Sequence, residues 1–324
     1  MNETRQTLTV SEMRLDSFHP EKMEEAACQS SITHMQLGRG RFTGDLIRAR
    51  CSQGILDSGK YNLPLLAVGE MPGEHITLAF ILEARGEGTL NGCTVRANAP
   101  VIFTEGSEIH YRLAPGTHWI ALQITRELLE QNGTILPRHL SAVLDADRAT
   151  SLRLARVFGQ AVQTLRQSSD QDQRVLDARR LGLSIQECIL AEFCGALFPA
   201  KHAAAKTRTR KVHNAQLVSQ AVRYFESHFA EPIEISSVCD LTGVSWRTVQ
   251  RAFMGAYGMS PKSFLTALRL SRARKELLSS ARLLDPVSRI ALECGFFHLG
   301  RFSGDYLELY GELPSDTRKR VAGR

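Results

Sequence analysis

The feature that most constrains this chain is a repeat in its last third. The first copy runs VCDLTGVS from Val238 to Ser245, continues as a helical run to Phe253 and ends in YGMSP from Tyr257 to Pro261. The second runs IALECGF from Ile290 to Phe296, continues helically to Tyr306 and ends in YGELP from Tyr310 to Pro314. Tyr257 and Tyr310 are 53 residues apart, as are Pro261 and Pro314. A short helix, a glycine where the chain must turn sharply, and a second helix with a polar face predict a helix-turn-helix in each copy. Between them, Pro261 to Leu278 reads as one helix of 18 residues, about 27 Å long. Two readers on such a strut suit successive major grooves, whose repeat is roughly 34 Å.

Charge supports that placement. Lys and Arg number 40 against 34 Asp and Glu, a net charge of +6. Residues 201–324 hold 20 basic and 11 acidic residues (+9), whereas residues 1–200 hold 20 and 23 (−3). A basic end on a slightly acidic front fits a nucleic-acid reader with a separate sensing part. The seven cysteines are scattered and never form a C-x-x-C pair, and read as reduced thiols. No basic-then-apolar leader and no apolar run of membrane-spanning length is present, so a cytoplasmic protein with no membrane partner is expected.

In the first copy Trp246, Val249 and Phe253 form the apolar face, with Ser245 as the cap of their helix. Arg247, Gln250 and Arg251 fall together on an adjacent face, within about 100° at 100° per residue. Arg can bond guanine O6 and N7 with two donors, and Gln can do the same for adenine N6 and N7. In the second copy Leu299, Phe302 and Tyr306 repeat the apolar face, but Gly300, Ser303 and Gly304 stand where the polar residues were. His298 and Arg301 remain as base or phosphate contacts near the helix start. The candidate DNA-binding residues are therefore Trp246, Arg247, Gln250, Arg251, His298, Arg301 and Ser303. The first copy is expected to read bases and the second to position the backbone. Lys262, Arg269, Arg272, Arg274 and Lys275 give the connecting helix charge for phosphates.

These motifs resemble the AraC/XylS family of bacterial transcription regulators, over about residues 214–320. The resemblance is carried by the glycine turn with Val244-Ser245, GMSP from Gly258 to Pro261, the run from Leu268 to Leu278, the block from Ile290 to Phe296, and GELPS from Gly311 to Ser315. FHLGRF from Phe297 to Phe302 with Asp305-Tyr306 is similar to a branch that includes ethanolamine-operon regulators. The resemblance implies a unit with two helix-turn-helix motifs that binds promoter DNA and works beside RNA polymerase, usually as an activator. Its base contacts carry over to Arg247, Gln250, Arg251, Arg301 and Ser303. Gly304 departs from the longer polar residue often found there.

The front of the chain has a different texture. Gly44–Cys51, Gly54–Tyr61, His75–Leu82, Val101–Thr104 and His118–Ile124 read as short strands, and Asn91-Gly92 as a hairpin turn. After Thr125 the pattern turns helical, with runs at residues 126–132, 147–167 and 174–197. The predicted fold is α+β: an antiparallel β-barrel with a helical hairpin, then an all-α domain with two helix-turn-helix motifs. The family resemblance makes that barrel cupin-like, an effector domain followed by dimerising helices. The expected domains are an effector-binding unit at 1–145, a dimerising hairpin at 146–199, a basic linker at 200–213 and the DNA-binding unit at 214–324. A homodimer is expected, and packing of the hairpin on the barrel is an equal alternative.

Two effector readings arise. Lys206, Arg208, Arg210 and Lys211 place four cations in six residues at the domain junction, suited to an anionic nucleotide such as cyclic di-GMP, because arginine serves phosphate, guanine edge and stacking together. A flexible basic tether is the plainer alternative. The other reading puts a small metabolite inside the barrel, lined by Phe80, Phe103, Tyr111 and Trp119, residues that serve equally as core. His75, His110 and His118 are separate, so no metal site, cofactor or enzyme is expected. A cupin-type enzyme fused to a DNA-binding module and an architectural DNA binder are the remaining alternatives.

Overall fold

The computed structural model describes residues 9–26, 31–51, 54–167, 189–195 and 208–322. The front half holds two antiparallel sheets. One has seven strands in the order β1 (Thr9–Leu15), β3 (Gly44–Cys51), β4 (Gly54–Tyr61), β11 (His118–Ile124), β6 (Ile76–Glu83), β9 (Pro100–Phe103) and β12 (Ser141–Val143). The other has five: β2 (Ser31–Gln36), β5 (Leu65–Glu70), β10 (Glu108–Leu113), β7 (Gly88–Leu90) and β8 (Cys93–Val95). Among the described residues no ladder joins the two, so the barrel is open there; Leu65, Ala67, Ile109, Tyr111, Leu113, Ala121 and Phe103 fill the space between them. Asn91 and Gly92 have φ of 47° and 78°, the left-handed pair expected of a two-residue hairpin turn between β7 and β8.

Helices α1 (Pro20–Ala26) and α2 (Arg126–Gln131) are short, and α3 (Arg148–Gln167) packs across the outside of the seven-stranded sheet. Phe80 stacks on Phe158 at 5.6 Å in that outer layer, so it does not line the barrel as the sequence suggested. Residue parity decides this: on β6, residues 76, 78 and 80 point outward to α3, while Ala79 and Ile81 point inward. Residues 189–195 are helical, and Ile189, Leu190 and Phe193 are buried in the same layer. The rest of the expected second hairpin helix lies outside the described residues.

The C-terminal half is helical: α4 (Arg208–His228), α5 (Ile235–Thr242), α6 (Trp246–Tyr257), α7 (Pro261–Leu278), α8 (Val287–Glu293), α9 (Leu299–Tyr310) and α10 (Pro314–Ala322). Helix α4 begins at Arg208, inside the stretch read as linker to residue 213; its first turns are polar and basic, so no apolar period announces them. Ser260 caps α7, accepting from the Ser263 amide at 3.1 Å, with Pro261 at the first helical position. One expected cap differs. The Ser245 hydroxyl bonds the Thr248 hydroxyl rather than an amide; at the start of α8, Pro286 is the cap residue and the Asp285 side chain pairs with Arg282 and Arg289.

The halves share their cores. Met35, Leu66 and Val68, on the outer face of the five-stranded sheet, are buried with Leu217, Val218 and Ala221 of α4, Phe253 and Tyr257 of α6 and Phe264 of α7. Phe18 of the front half lies against Tyr310 (6.1 Å between centroids) and Phe42 (5.5 Å), which continues the second helix-turn-helix core into the barrel.

Candidate nucleic-acid interface

Helix α6 is built to bury one face and present another. Val249, Ala252, Phe253, Ala256 and Tyr257 are buried, with Phe253 packed edge-on to Phe264 at 5.5 Å and Tyr257 stacked on Phe264 at 5.2 Å. The opposite side shows Arg247, Gln250, Arg251 and Met254, the i, i+3, i+4, i+7 stripe of an α-helix, all exposed. None of Arg247, Gln250 and Arg251 is committed to an ion pair or hydrogen bond with another described residue, so their donors face solvent. Trp246 is half-buried against the first core and anchors the helix start.

Helix α9 repeats the arrangement 53 positions on. Phe302, Tyr306 and Tyr310 are buried, and Gly300, Ser303, Gly304 and Leu307 occupy the equivalents of Arg247, Gln250, Arg251 and Met254. Gly300, Gly304 and Leu307 are exposed, and Ser303 is half-exposed. A Cβ at Gly300 or Gly304 would meet nothing within 4 Å, so packing does not require glycine there. His298 is the N-cap residue of α9 and exposed; Arg301 is 81% exposed and lies 3.8 Å from Asp305. The apolar tips Met254 and Leu307 were missed from sequence, although the same repeat spacing marks them. The two turns match: Gly243 and Gly295 have φ of 66° and 80°, and Gly258 and Gly311 have 68° and 71°. At Gly295 a Cβ would stand 2.6 Å from the Phe229 carbonyl oxygen, so this turn excludes any other residue.

Between the two motifs lies a concavity of about 770 Å³ with α7 along it. Met259 and Ile233 line one side, Phe297, His298 and Arg301 the other, and Lys262 and Thr266 lie between. Of the five α7 cations expected to meet phosphates, four have other duties. Arg269 donates to the carbonyls of Phe229 (2.6 Å) and Glu231 (2.7 Å), Arg272 lies over the Phe229 ring at 5.7 Å, and Lys275 pairs with Glu24 at 2.8 Å. Arg274 is 1% exposed, bonded to the Phe18 carbonyl and the Tyr306 hydroxyl (3.0 Å), paired with Glu312 at 2.9 Å and 4.3 Å above the Tyr310 ring. Lys262 is left open on the surface.

The remaining polar side chains at the domain interface explain how the front half is held. His110 projects from β10 away from the barrel, bonding the Tyr257 hydroxyl through Nδ1 and Ser219 Oγ through Nε2 at 2.8 Å. Ser219 donates to Glu108 at 3.0 Å, and Arg223 pairs with the same carboxylate. Burial, against the opposing pull of Glu108, lowers the His110 pKa from 6.5 to about 4, and burial does the same at His34. Each is kept neutral by the fold where the unfolded chain already takes a proton. Stability is therefore full above pH 6.5 and declines as pH falls toward 4, by up to about 1.4 kcal/mol per pH unit for each histidine. Urea midpoints at pH 7 and 4.5 should separate less in His110→Asn than in the wild type; an unchanged separation contradicts this.

The three histidines weighed as metal ligands do not converge: His110 faces Tyr257, His118 bonds Ser58 at 3.2 Å, and His75 precedes β6. Among the described residues no group of three His, Cys, Asp or Glu side chains is placed to hold a metal, and no helix is long and apolar enough to cross a membrane. Of the basic run, Lys206 lies outside the described residues, and Arg208, Arg210 and Lys211 fall on the first turn of α4.

A front unit of two antiparallel sheets joined to two tandem helix-turn-helix motifs with open faces defines a helix-turn-helix class of protein. Comparison with known proteins agrees. A family model described as a helix-turn-helix domain matches residues 238–320. The probable thc operon regulatory protein of Rhodococcus erythropolis is 34% identical over 139 residues, 43% of this chain and 41% of that protein. A XylDLEGF operon transcriptional activator of Pseudomonas putida is 35% identical over 107 residues, 31% of this chain and 30% of that protein. The crystal structure of a probable AraC family transcriptional regulator from Rhodopseudomonas palustris is 39% identical over 33% of this chain and 97% of the solved one, with a TM-score of 0.31. The chain belongs to the AraC/XylS family. The match spans less than half the length of the two curated relatives.

Proposed function

We propose that the protein is an effector-responsive transcription regulator that binds promoter DNA through α6 and α9 in successive major grooves, beside RNA polymerase. The observation that carries this is the pair of open, register-matched faces, Arg247/Gln250/Arg251/Met254 and Gly300/Ser303/Gly304/Leu307, flanking one concavity. Arg247, Gln250 and Arg251 supply direct base readout. His298 and Arg301 supply backbone contacts, and Met254 and Leu307 suit thymine methyls. Front-domain contacts fall on α4, α7, α10 and the C-terminal ends of α6 and α9, where Thr89 Oγ1 donates to the Ala256 carbonyl at 2.5 Å and the Gln36 amide to the Leu309 carbonyl at 2.6 Å, so the exposed residues of both reading faces stay uncovered. A base-substitution scan of a selected duplex tests the division of labour: penalties should be larger in the half bound by α6, and larger penalties in the other half would refute it.

The effector reading rests on the same junction. An anionic nucleotide such as cyclic di-GMP at Lys206, Arg208, Arg210 and Lys211 would act on α4, the helix that His110 and Glu108 grip. Calorimetry on wild type and on Arg208→Ala/Arg210→Ala decides it, and no heat in the wild type ends the idea. For the alternative, a small metabolite, a pocket of about 70 Å³ lies beside Leu46, Arg48, Asp57, Ser58 and Trp119. A smaller pocket of about 10 Å³ lies next to Tyr111. Helix α3 and residues 189–195 pack on the sheet; homodimerisation through this layer is part of the proposal, read by sedimentation.

A further inference from the structure

The connection between β2 and β3, LGRGRFT over residues 37–43, belongs to the front domain but is fastened to the second helix-turn-helix. The buried Gln36 amide donates to the carbonyls of Gly38 (2.7 Å), Gly40 (2.8 Å) and Leu309 (2.6 Å), and the Gly40 amide donates to Leu309 at 3.0 Å. The glycines are needed for this fit. Gly40 has φ of 104°, and a Cβ on Gly38 would lie 2.6 Å from Pro64. On the other side, a Cβ on Gly311 would stand 3.3 Å from the Arg41 amide. The turn is thus held against the end of α9 by its backbone; Phe42 is buried in the core, whereas the two arginines of the turn point outward.

Arg39 is one of them. Its side chain is 77% exposed and lines the concavity that also holds Lys262, His298 and Arg301. Four cations line that space, Arg39, Lys262, Arg269 and Arg301, against Asp305 and Glu308. Arg39 pairs with Glu308 at 2.7 Å, but that carboxylate is half-exposed, and exposed pairs of this kind contribute ~0–1 kcal/mol. A phosphodiester, whose neutralisation releases condensed counterions, is the stronger partner for the same guanidinium. Other front-domain arginines lack this position: Arg14 pairs with Asp45 on the outer strands, Arg96 with Glu87, and Arg41 turns to the Asp16 carbonyl.

We propose that Arg39 is a DNA-backbone contact supplied by the sensing domain, taking a phosphate of the duplex segment between the two major grooves. This rests on the reading of α6 and α9 as DNA readers. The docked front domain is then part of the DNA-binding surface, and undocking it removes a contact from the duplex.

The test uses the full chain and a duplex selected from a random pool by the wild type, with affinity measured across salt. Arg39→Gln should make the slope of log affinity against log salt shallower by about 0.9, which narrows its deficit about threefold between 50 and 200 mM, and should leave the ranking of base variants unchanged. Arg14→Gln, far from the concavity, should leave the slope as in the wild type. A wild-type slope in Arg39→Gln, with base discrimination still lost in Arg247→Ala, overturns this proposal and leaves the helices as readers. If Arg247→Ala also binds as the wild type does, the underlying reading falls with it.

Discussion

Replacing Glu312 with alanine is expected to destabilise the protein by about 3–5 kcal/mol, because it strips a buried cation of its counter-charge. Arg274 is 1% exposed, and it sits where the front domain, α7 and α9 meet. Its other partners, the Phe18 carbonyl and the Tyr306 hydroxyl, are neutral, so the guanidinium charge depends on Glu312. Glu312 also accepts from Thr317 at 2.8 Å and pairs with Arg320, so the loss spreads to α10. Urea unfolding measures it. The double variant Arg274→Met/Glu312→Gln should recover much of the loss, because no uncompensated charge is then left buried. A single variant as stable as the wild type would mean that water reaches Arg274.

The second large effect falls on DNA and leaves the fold alone. Arg247→Ala is expected to weaken binding to a selected duplex by about 5- to 150-fold, the equivalent of roughly 1–3 kcal/mol for a bidentate base contact, and to relax base preference at one position. Arg247 is exposed on α6, so its removal should move stability by no more than about 0.5 kcal/mol. Affinity with and without a base change at that position separates this from loss of a phosphate contact, which weakens all sequences alike. Uniform weakening would reassign Arg247 to the backbone.

These two residues show what the sequence could and could not convey. The reading helix was legible because its signals are local: a glycine turn, an apolar stripe at Val249 and Phe253, and a 53-residue echo. Helix α7 was legible to the residue, since Ser260-Pro261 announces its start. Arg274 was not. In the sequence it is one of five cations on a basic helix, and only the approach of Phe18 and Tyr310 from distant segments turns it inward.

The strands that hold the reader were missed for a related reason. Leu65 to Val68 of β5 are all buried, one face by the barrel and the other by α4 and α7, so no polar alternation remains to mark a half-exposed strand. In β10 the outward residues Glu108 and His110 are polar because they bond α4 and α6, which makes the run EIHYRL resemble a surface segment. At this junction the sequence offered a basic linker at residues 200–213 and no signal of docking. The two halves instead share buried apolar clusters, and β10 carries Tyr111 on its barrel side and His110 on its reader side.

Hydroxyl-radical footprinting of the full chain on a selected duplex tests the central claim most directly. Two helices in neighbouring major grooves predict two protected segments about one helical turn apart on the same face of the duplex. Arg247→Ala should alter base discrimination within one segment only. A single protected segment, or two on opposite faces of the DNA, would contradict the paired-reader account.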